Sequence, residues 1–301
     1  MNRDLKFDKK RGRVKYCPCG KSNKDGKFSP FRGYDNRGKC FSCDKVFWPD
    51  SKIASTFSYP KKESSTPKTS FMKFESVLKS CKHYSQNRLA KWMIDKLGDA
   101  EAQKLFGMYY LGSSKKWEGA SVFWQIDIDG KVRAGKIMGY DKTGHRVKEP
   151  RSLITWVHSH LRLTDYNLKQ CFFGEHLLLQ NPSALVCIVE SEKTAMICKA
   201  YFPECVWLAT GGKSGCNFYS KSVNGVLKNR SVILFPDEGA YELWLDKSST
   251  IPARQVEVSK HLEDSGPQFK GCDMADILLE TPISVYQKSI FGEKGANRES
   301  F

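Results

Sequence analysis

The sequence lacks several features that would point to common protein classes. It has no apolar run of the roughly 18–20 residues that a membrane helix needs, which excludes a membrane-spanning protein. Its first residues are charged and contain no apolar stretch typical of a secretory signal, so we expect a cytoplasmic protein. Neither an internal repeat nor a Walker phosphate-binding motif is present, so we expect any helicase to be a separate partner.

The positive charge of the chain is concentrated at its beginning. The net charge is +16, and residues 1–70 contain 18 Lys and Arg against 7 Asp and Glu. A strongly basic segment ahead of a nearly balanced body predicts a region that binds a polyanion such as nucleic acid. The alternative is a solvated basic tail without a partner.

Composition separates the two ends of the chain from its body. Residues 10–50 form a cysteine-bounded module, and residues 51–70 form a segment rich in Ser, Thr, Lys and Pro that predicts a flexible linker. Residues 283–301 are polar and predict a frayed tail.

The body between them predicts two domains. Residues 71–182 combine a helical pattern over 76–106 with alternating strands over 121–140, which is typical of an α+β domain. Residues 183–282 alternate short apolar strands with helices, which predicts an α/β domain with a mainly parallel sheet.

Four of the 11 cysteines form two tight pairs, Cys17-x-Cys19 and Cys40-x2-Cys43. Four thiolates on two turns are typical of a closed tetrahedral Zn²⁺ site, and so small a module would depend on the metal for its folding. The first pair is one residue shorter than a standard zinc-ribbon knuckle. Four reduced thiols without metal, or a redox pair at Cys40 and Cys43, stay open as alternatives.

Cations and aromatic residues alternate through the same module. Cations contact phosphates, and aromatic rings stack on unpaired bases, so single-stranded nucleic acid is the expected partner. The candidate contacts are Arg13, Lys15 and Arg32.

Acidic residues follow the apolar strands of the α/β region. Glu190 comes after ALVCIV, and Asp237 comes after SVILF. If these strands are neighbours, both carboxylates meet at the carboxyl edge of the sheet, where open α/β sheets have their sites. Such a cluster, joined by Asp273 and Asp276 at the start of the last helix, would bind Mg²⁺ or Mn²⁺ and serve phosphoryl transfer. The alternative for a lone glutamate after a strand is a helix cap.

Several cations flank these elements. Lys193 and Lys213, the latter in the loop GGKSG, are candidate phosphate contacts, although the loop lacks Walker spacing. Arg133 and Lys136 lie in the hairpin of the middle region and are candidate guides for a template strand. An ordinary solvated hairpin face is the alternative for these two.

Three motifs carry a resemblance to a known family. VESEKTA (189–195), LATGG (208–212) and VILFPD (232–237) resemble a Toprim domain, the catalytic fold of bacterial primases and of type IA and type II topoisomerases. The cysteine module resembles the zinc-binding domain of bacterial-type primases. The middle segment resembles a domain of unknown function that separates such ribbons from Toprim domains in proteins of bacterial mobile elements and phages.

The resemblance implies a Toprim-like parallel sheet with an α+β middle domain and an N-terminal zinc ribbon. It implies a primase-like nucleotidyltransferase that makes short primers from NTPs on single-stranded DNA. Its cofactors would be structural Zn²⁺ and catalytic Mg²⁺ or Mn²⁺, and its partners a separate helicase or other mobilisation and replication proteins.

The resemblance also implies roles for particular residues. Glu190 matches the Toprim glutamate, which is the acid/base or metal-proximal group, and Asp237 matches the first aspartate of an Asp-x-Asp motif. The second aspartate is absent because residue 239 is Gly. The candidate Mg²⁺ ligands are therefore Glu190, Asp237, Glu238, Glu242 and Asp273. This departure leaves two alternatives, a Toprim nuclease and a non-catalytic DNA-binding accessory factor.

Overall fold

The computed structural model describes residues 5–42, 44–49, 68–213, 215–264 and 271–280. The chain divides into two compact units, Met1–Ser65 and Thr66–Phe301. The predicted tail lies outside the described residues, as does most of the predicted linker. None of the helices in the described ranges is both long and apolar enough to cross a membrane.

The first unit is a small antiparallel sheet around a minimal core. Its strands run in the order β1-β2-β3, and their bounds are β1 Phe28–Pro30, β2 Gly38–Cys40 and β3 Val46–Phe47. Val14, Cys17, Phe28 and Cys40 form the buried cluster. The buried Asn23 side chain ties the surrounding loops together, because its amide donates to three carbonyls and its oxygen accepts from the Phe28 N–H at 2.6 Å.

The helical pattern over 76–106 forms three separate helices. Their bounds are α1 Phe74–Ser80, α2 Arg88–Leu97 and α3 Asp99–Met108. The chain turns at His83 and Gly98, whose φ angles of 62° and 80° lie in the left-handed region that ends a right-handed helix. Asn87 starts α2 because its side chain accepts the Ala90 N–H.

The predicted hairpin is the centre of a four-stranded antiparallel sheet in the order β4-β5-β6-β7. The strands are β4 Gly112–Ser114, β5 Ala120–Ile126, β6 Val132–Met138 and β7 Ile154–Trp156, and two short helices follow, α4 Val157–His160 and α5 Leu177–Gln180. One face of this sheet packs Val122, Trp124 and Ile137 against α1 and α4, while Phe123 and Met138 on the other face join the main core.

The last part is the expected α/β layer, and its four-stranded sheet is wholly parallel. The strands are β8 Val186–Val189, β9 Val206–Ala209, β10 Ser231–Leu234 and β11 Gln255–Val258, in the order β11-β10-β8-β9. The helices are α6 Glu192–Tyr201, α7 Lys221–Asn224, α8 Tyr241–Ser248, α9 His261–Asp264 and α10 Met274–Glu280. The predicted mixed α/β fold class is therefore confirmed.

One continuous core joins the antiparallel and parallel sheets. It extends from α2 and α3 through Phe123 and Met138 to β8, α6 and α10. A buried hydrogen bond of 2.9 Å, donated by the Tyr109 hydroxyl to the Trp207 carbonyl, crosses the same boundary. The two sheets therefore share one hydrophobic core.

Candidate functional site

The strand order creates a crevice at the carboxyl edge of the parallel sheet. The chain leaves β8 towards β9 on one side, and it leaves β10 towards β11 on the other side, so the two connections diverge between β8 and β10. Ligands of open α/β sheets bind at this kind of switch point. Glu190 follows β8 and Asp237 follows β10, which brings the two carboxylates to the same crevice.

Glu190 is held in the crevice with one carboxylate oxygen uncompensated. Its side chain is buried, and in the described part of the chain Oε1 has no hydrogen-bond partner. Burial raises the pKa of Glu190, while the Lys213 ammonium and the Asp237 backbone N–H oppose that rise. A buried carboxylate oxygen without a donor is a favourable position for a bound cation.

Asp237 lies in a stronger negative field. Burial, followed by the charges of Glu190 and Asp273, raises the pKa of Asp237 to about 8. Arg146, from the hairpin that follows β6, carries the positive charge that partly offsets this rise. The crevice therefore gathers acidic oxygens whose mutual repulsion a divalent cation would relieve.

The donor set fits a hydrated Mg²⁺ or Mn²⁺ ion. Among the described residues, only the cysteines of the first unit form a group of three ligand atoms within 4.8 Å of one another, so the carboxylates of the crevice are more widely spaced. Mg²⁺ keeps several waters and is commonly held by one or two carboxylates, so Glu190 and Asp237 suit it.

The other predicted acidic ligands take different positions. Asp273 accepts the Thr194 hydroxyl at 2.7 Å and caps the start of α10 through the Ala275 N–H. The Glu238 carboxylate accepts the Gly271 N–H at 3.1 Å. Glu242 is exposed in the first turn of α8, and the acids that raise the pKa of Asp237 are Glu190, Asp273 and Asp276. Asp276 is therefore the nearer additional acid.

Lys193 and Lys213 both lie beside the crevice. Lys213 is exposed and its ammonium donates to the Gly239 carbonyl at 2.6 Å. Lys193 is buried, and its ammonium lies 5.1 Å from the Trp92 ring centre and 3.4 Å from the Gly144 carbonyl. Of the two, Lys213 has the exposure that a phosphate contact needs.

Lys136, predicted as a guide for a template strand, forms a buried ion pair. Its ammonium is buried and donates to Glu192 and to the Gly211 carbonyl, each at 2.9 Å. Lys136 instead connects β6 to α6 and to the glycine loop after β9.

Arg133 and Arg13 are also engaged in ion pairs. Arg133 binds the buried Asp127 at 2.5 Å, and the pair closes the β5–β6 turn. Arg13 pairs with Asp8 and Asp35 inside the first unit. Both guanidinium groups therefore form ion pairs within the protein, and their phosphate contacts stay predictions.

Three of the four predicted zinc ligands come together in the first unit. The sulfur atoms of Cys17, Cys19 and Cys40 lie within 4.8 Å of one another, while Cys43 lies outside the described residues. Burial and the neighbouring thiols of Cys19 and Cys40 raise the pKa of Cys17 to about 12. A cation bound among these sulfurs would favour the thiolate form, and the soft sulfur donor set fits Zn²⁺.

The same unit exposes aromatic surface next to cations. The Phe41 ring is 54% exposed, and the Lys39 ammonium and the Arg11 guanidinium lie 5.4 and 5.9 Å from its centre. Lys15 and Arg32 are exposed and remain candidate phosphate contacts. A free ring flanked by cations is suited to stacking on an unpaired base.

A groove of about 1290 Å³ on the outer face of the antiparallel sheet was not predicted. Val122, Trp124 and Ile137 form part of its floor, and its wall includes Trp117. Its cationic lining residues are Lys79, Lys82, Arg88, Lys91, Lys115 and Lys142, against the acidic Asp95 and Glu118. The available signal in the sequence was the run of cations around Trp92 and Trp117.

Trp92 of α2 contacts both the groove and Lys193 of α6. Trp92 lines the groove and packs against the hairpin, where a Cβ on Gly144 would lie 2.4 Å from its ring. The ammonium of Lys193, three residues after Glu190, lies over the same ring.

Comparisons with known proteins give one family and several similar structures. The model of a domain of unknown function, DUF6371, matches residues 87–238. No curated protein matches the chain.

The primase fragment of the bacteriophage T7 primase-helicase protein is 17% identical, with 81% of this chain and 87% of that chain covered and a TM-score of 0.39. The RNA polymerase domain of Mycobacterium tuberculosis primase DnaG is 12% identical, with 75% and 86% covered and a TM-score of 0.47. The E. coli primase catalytic core is 12% identical, with 72% and 82% covered and a TM-score of 0.41. At these scores the likeness assigns no residue a role.

Proposed function

The chain belongs to the DUF6371 family, whose model covers half of it, and we propose that it is a primase-like nucleotidyltransferase acting on single-stranded DNA. The observation that carries this proposal is the pair of carboxylates at the switch point. Glu190 and Asp237 follow adjacent parallel strands, and a buried oxygen of Glu190 lacks a partner. This arrangement favours a divalent cation and, with it, phosphoryl-transfer chemistry.

The carboxylates of Glu190 and Asp237 have different roles in the proposed reaction. A bound Mg²⁺ would neutralise charge on the phosphates of the incoming nucleotide and so favour displacement of pyrophosphate. Asp237 would hold the ion, and Asp273 adds negative charge beside Asp237. Glu190 would share the ion through Oε1, its buried oxygen without a partner, and its other carboxylate oxygen would accept the proton of the attacking 3′-hydroxyl.

Cations around the crevice bind the triphosphate. The exposed Lys213 and Arg146 both act electrostatically on Glu190, so both lie near the reacting phosphates. Ammonium and guanidinium groups stabilise the charge that moves onto the leaving pyrophosphate.

The basic groove receives the template strand. Its cations outnumber its acids, and Trp117 supplies an aromatic wall. Phosphate contacts to lysines and stacking on indole rings bind single strands with little sequence preference. The zinc ribbon, with Phe41 between Arg11 and Lys39, contributes a second single-strand contact.

Primer synthesis tests the proposal. The purified chain is incubated with single-stranded DNA, labelled NTPs and Mg²⁺ or Mn²⁺, in parallel with Glu190→Gln and Asp237→Asn. Glu257→Gln is the matched control, because Glu257 is exposed on the edge strand β11. We expect short products from the wild type and the control, and a loss of at least 100-fold in both site variants.

Two other outcomes would replace the proposal. Cleaved template with the same dependence on Glu190 and Asp237 would identify a nuclease. Single-strand binding without synthesis or cleavage would identify an accessory factor, which the absent second aspartate favours.

A further inference from the structure

The position two residues after Asp237 is open. Gly239 has φ +74°, and a Cβ built on it would meet no atom within 4 Å. Aspartate is one of the few residues that tolerate this left-handed backbone region. Neither packing nor backbone geometry therefore forbids a second carboxylate there.

An ammonium bonds to the backbone of this residue. The Lys213 Nζ atom donates to the Gly239 carbonyl oxygen at 2.6 Å. The indole N–H of the buried Trp244 donates to the Lys213 carbonyl at 3.1 Å, which anchors the backbone of the lysine. The Lys213 ammonium also opposes the rise that burial causes in the pKa of Glu190.

We propose that the crevice holds a single divalent cation, between Glu190 and Asp237, and that the Lys213 ammonium takes the place of a second cation. This inference rests on the proposed function, because it concerns the same site. The buried, unpartnered Oε1 of Glu190 supplies a free ligand atom for one ion. A second ion would have no carboxylate at residue 239 and would be repelled by Lys213, most strongly where the local dielectric is low.

Mn²⁺ titration followed by electron paramagnetic resonance tests the number of ions. The full chain is first loaded with Zn²⁺, since the cysteine sulfurs prefer that ion to Mn²⁺. We expect one Mn²⁺ per wild-type chain and at least 10-fold weaker binding in Asp237→Asn. Lys228→Gln is the control for the loss of a lysine charge away from the site. Lys228 is exposed and precedes β10, so it lies at the opposite end of this strand from Asp237.

Two substitutions together should create a second site. Gly239→Asp alone should still bind one Mn²⁺, because the new carboxylate would pair with Lys213. Gly239→Asp combined with Lys213→Gln should bind two, with the spin coupling of ions roughly 3.5–4 Å apart. If the double variant does not fold, the number of Mn²⁺ ions bound by the wild type and the Mn²⁺ affinity of Asp237→Asn decide whether the inference holds.

Several results would overturn the inference. They are two coupled ions or no ion in the wild type, a second ion in Gly239→Asp alone, or a single ion in a folded double variant. Primer synthesis by a wild type with two ions would leave the proposed function standing. One bound ion without synthesis or cleavage would reject that function and leave the single-ion inference intact.

Discussion

Breaking the buried ion pair between Lys136 and Glu192 should cost more stability than any substitution of a surface charge. The side chains are 10% and 3% exposed, and the ammonium lies 2.9 Å from the carboxylate. Lys136→Met would leave Glu192 buried and unpaired, which costs about 3–5 kcal/mol. For a compact unit of this size, 1 kcal/mol lowers the Tm by roughly 2–4 °C, so we expect a decrease of about 6–20 °C.

A double-mutant cycle separates the ion pair from lost packing. Lys136→Met combined with Glu192→Met removes both charges, and it should regain most of the lost stability because no charge stays buried alone. The lost bond to the Gly211 carbonyl leaves a deficit of about 1 kcal/mol. Urea unfolding monitored by circular dichroism gives the free energies, and Lys228→Met is the exposed control, expected within about 0.5 kcal/mol of wild type. Losses that simply add in the double variant, or a loss below about 1 kcal/mol in Lys136→Met, would refute the reasoning.

Three further predictions concern other parts of the chain. Cys17→Ser should remove bound zinc and unfold the first unit, and a zinc content by mass spectrometry equal to that of wild type would contradict the site. Burial raises the pKa of Glu175 to about 7, so its stabilising contribution is present below about pH 4.5 and is lost as the pH rises through 7. The unfolding free energy of wild type relative to Glu175→Gln should therefore fall by up to about 3 kcal/mol between pH 4.5 and 8, and a difference independent of pH would reject this assignment. Lys91→Gln with Lys115→Gln should lower the slope of log K against log salt for single-stranded DNA by about 1.4, and an unchanged slope would exclude the groove from binding.

Local patterns predicted the elements because each element is set by neighbours in the chain. Alternating residues around the turn at Gly130 predicted the β5–β6 hairpin, and the apolar runs predicted β8 and β10. The helical pattern over 76–106 indicated helix correctly, but not the breaks at His83 and Gly98. Of those two, histidine carries no turn signal of its own, so only the backbone of the folded chain reveals that break.

For the same reason, the sequence predicted the residues of the cysteine site and of the acidic crevice only in part. Cys17, Cys19 and Cys40 were identified from tight spacing, because short turns dictate which sulfurs meet. The prediction of the additional acids was only partly right, since Glu242 is close to Asp237 in sequence but exposed, whereas Asp273 and Asp276, predicted at the start of the last helix, do act on Asp237. Sequence distance does not decide proximity once strands and helices pack.

The sequence by itself determined the fold class, the two cysteine pairs and the carboxylates that follow the apolar strands. The tertiary structure alone decided which charges are free. Lys136 and Lys213 are both lysines near glycines, yet one is buried against Glu192 and the other is exposed at the crevice. The basic groove likewise exists only when α1, α2 and the antiparallel sheet are assembled. Charge and spacing are properties of the chain, whereas burial and pairing arise from contacts between residues far apart in it.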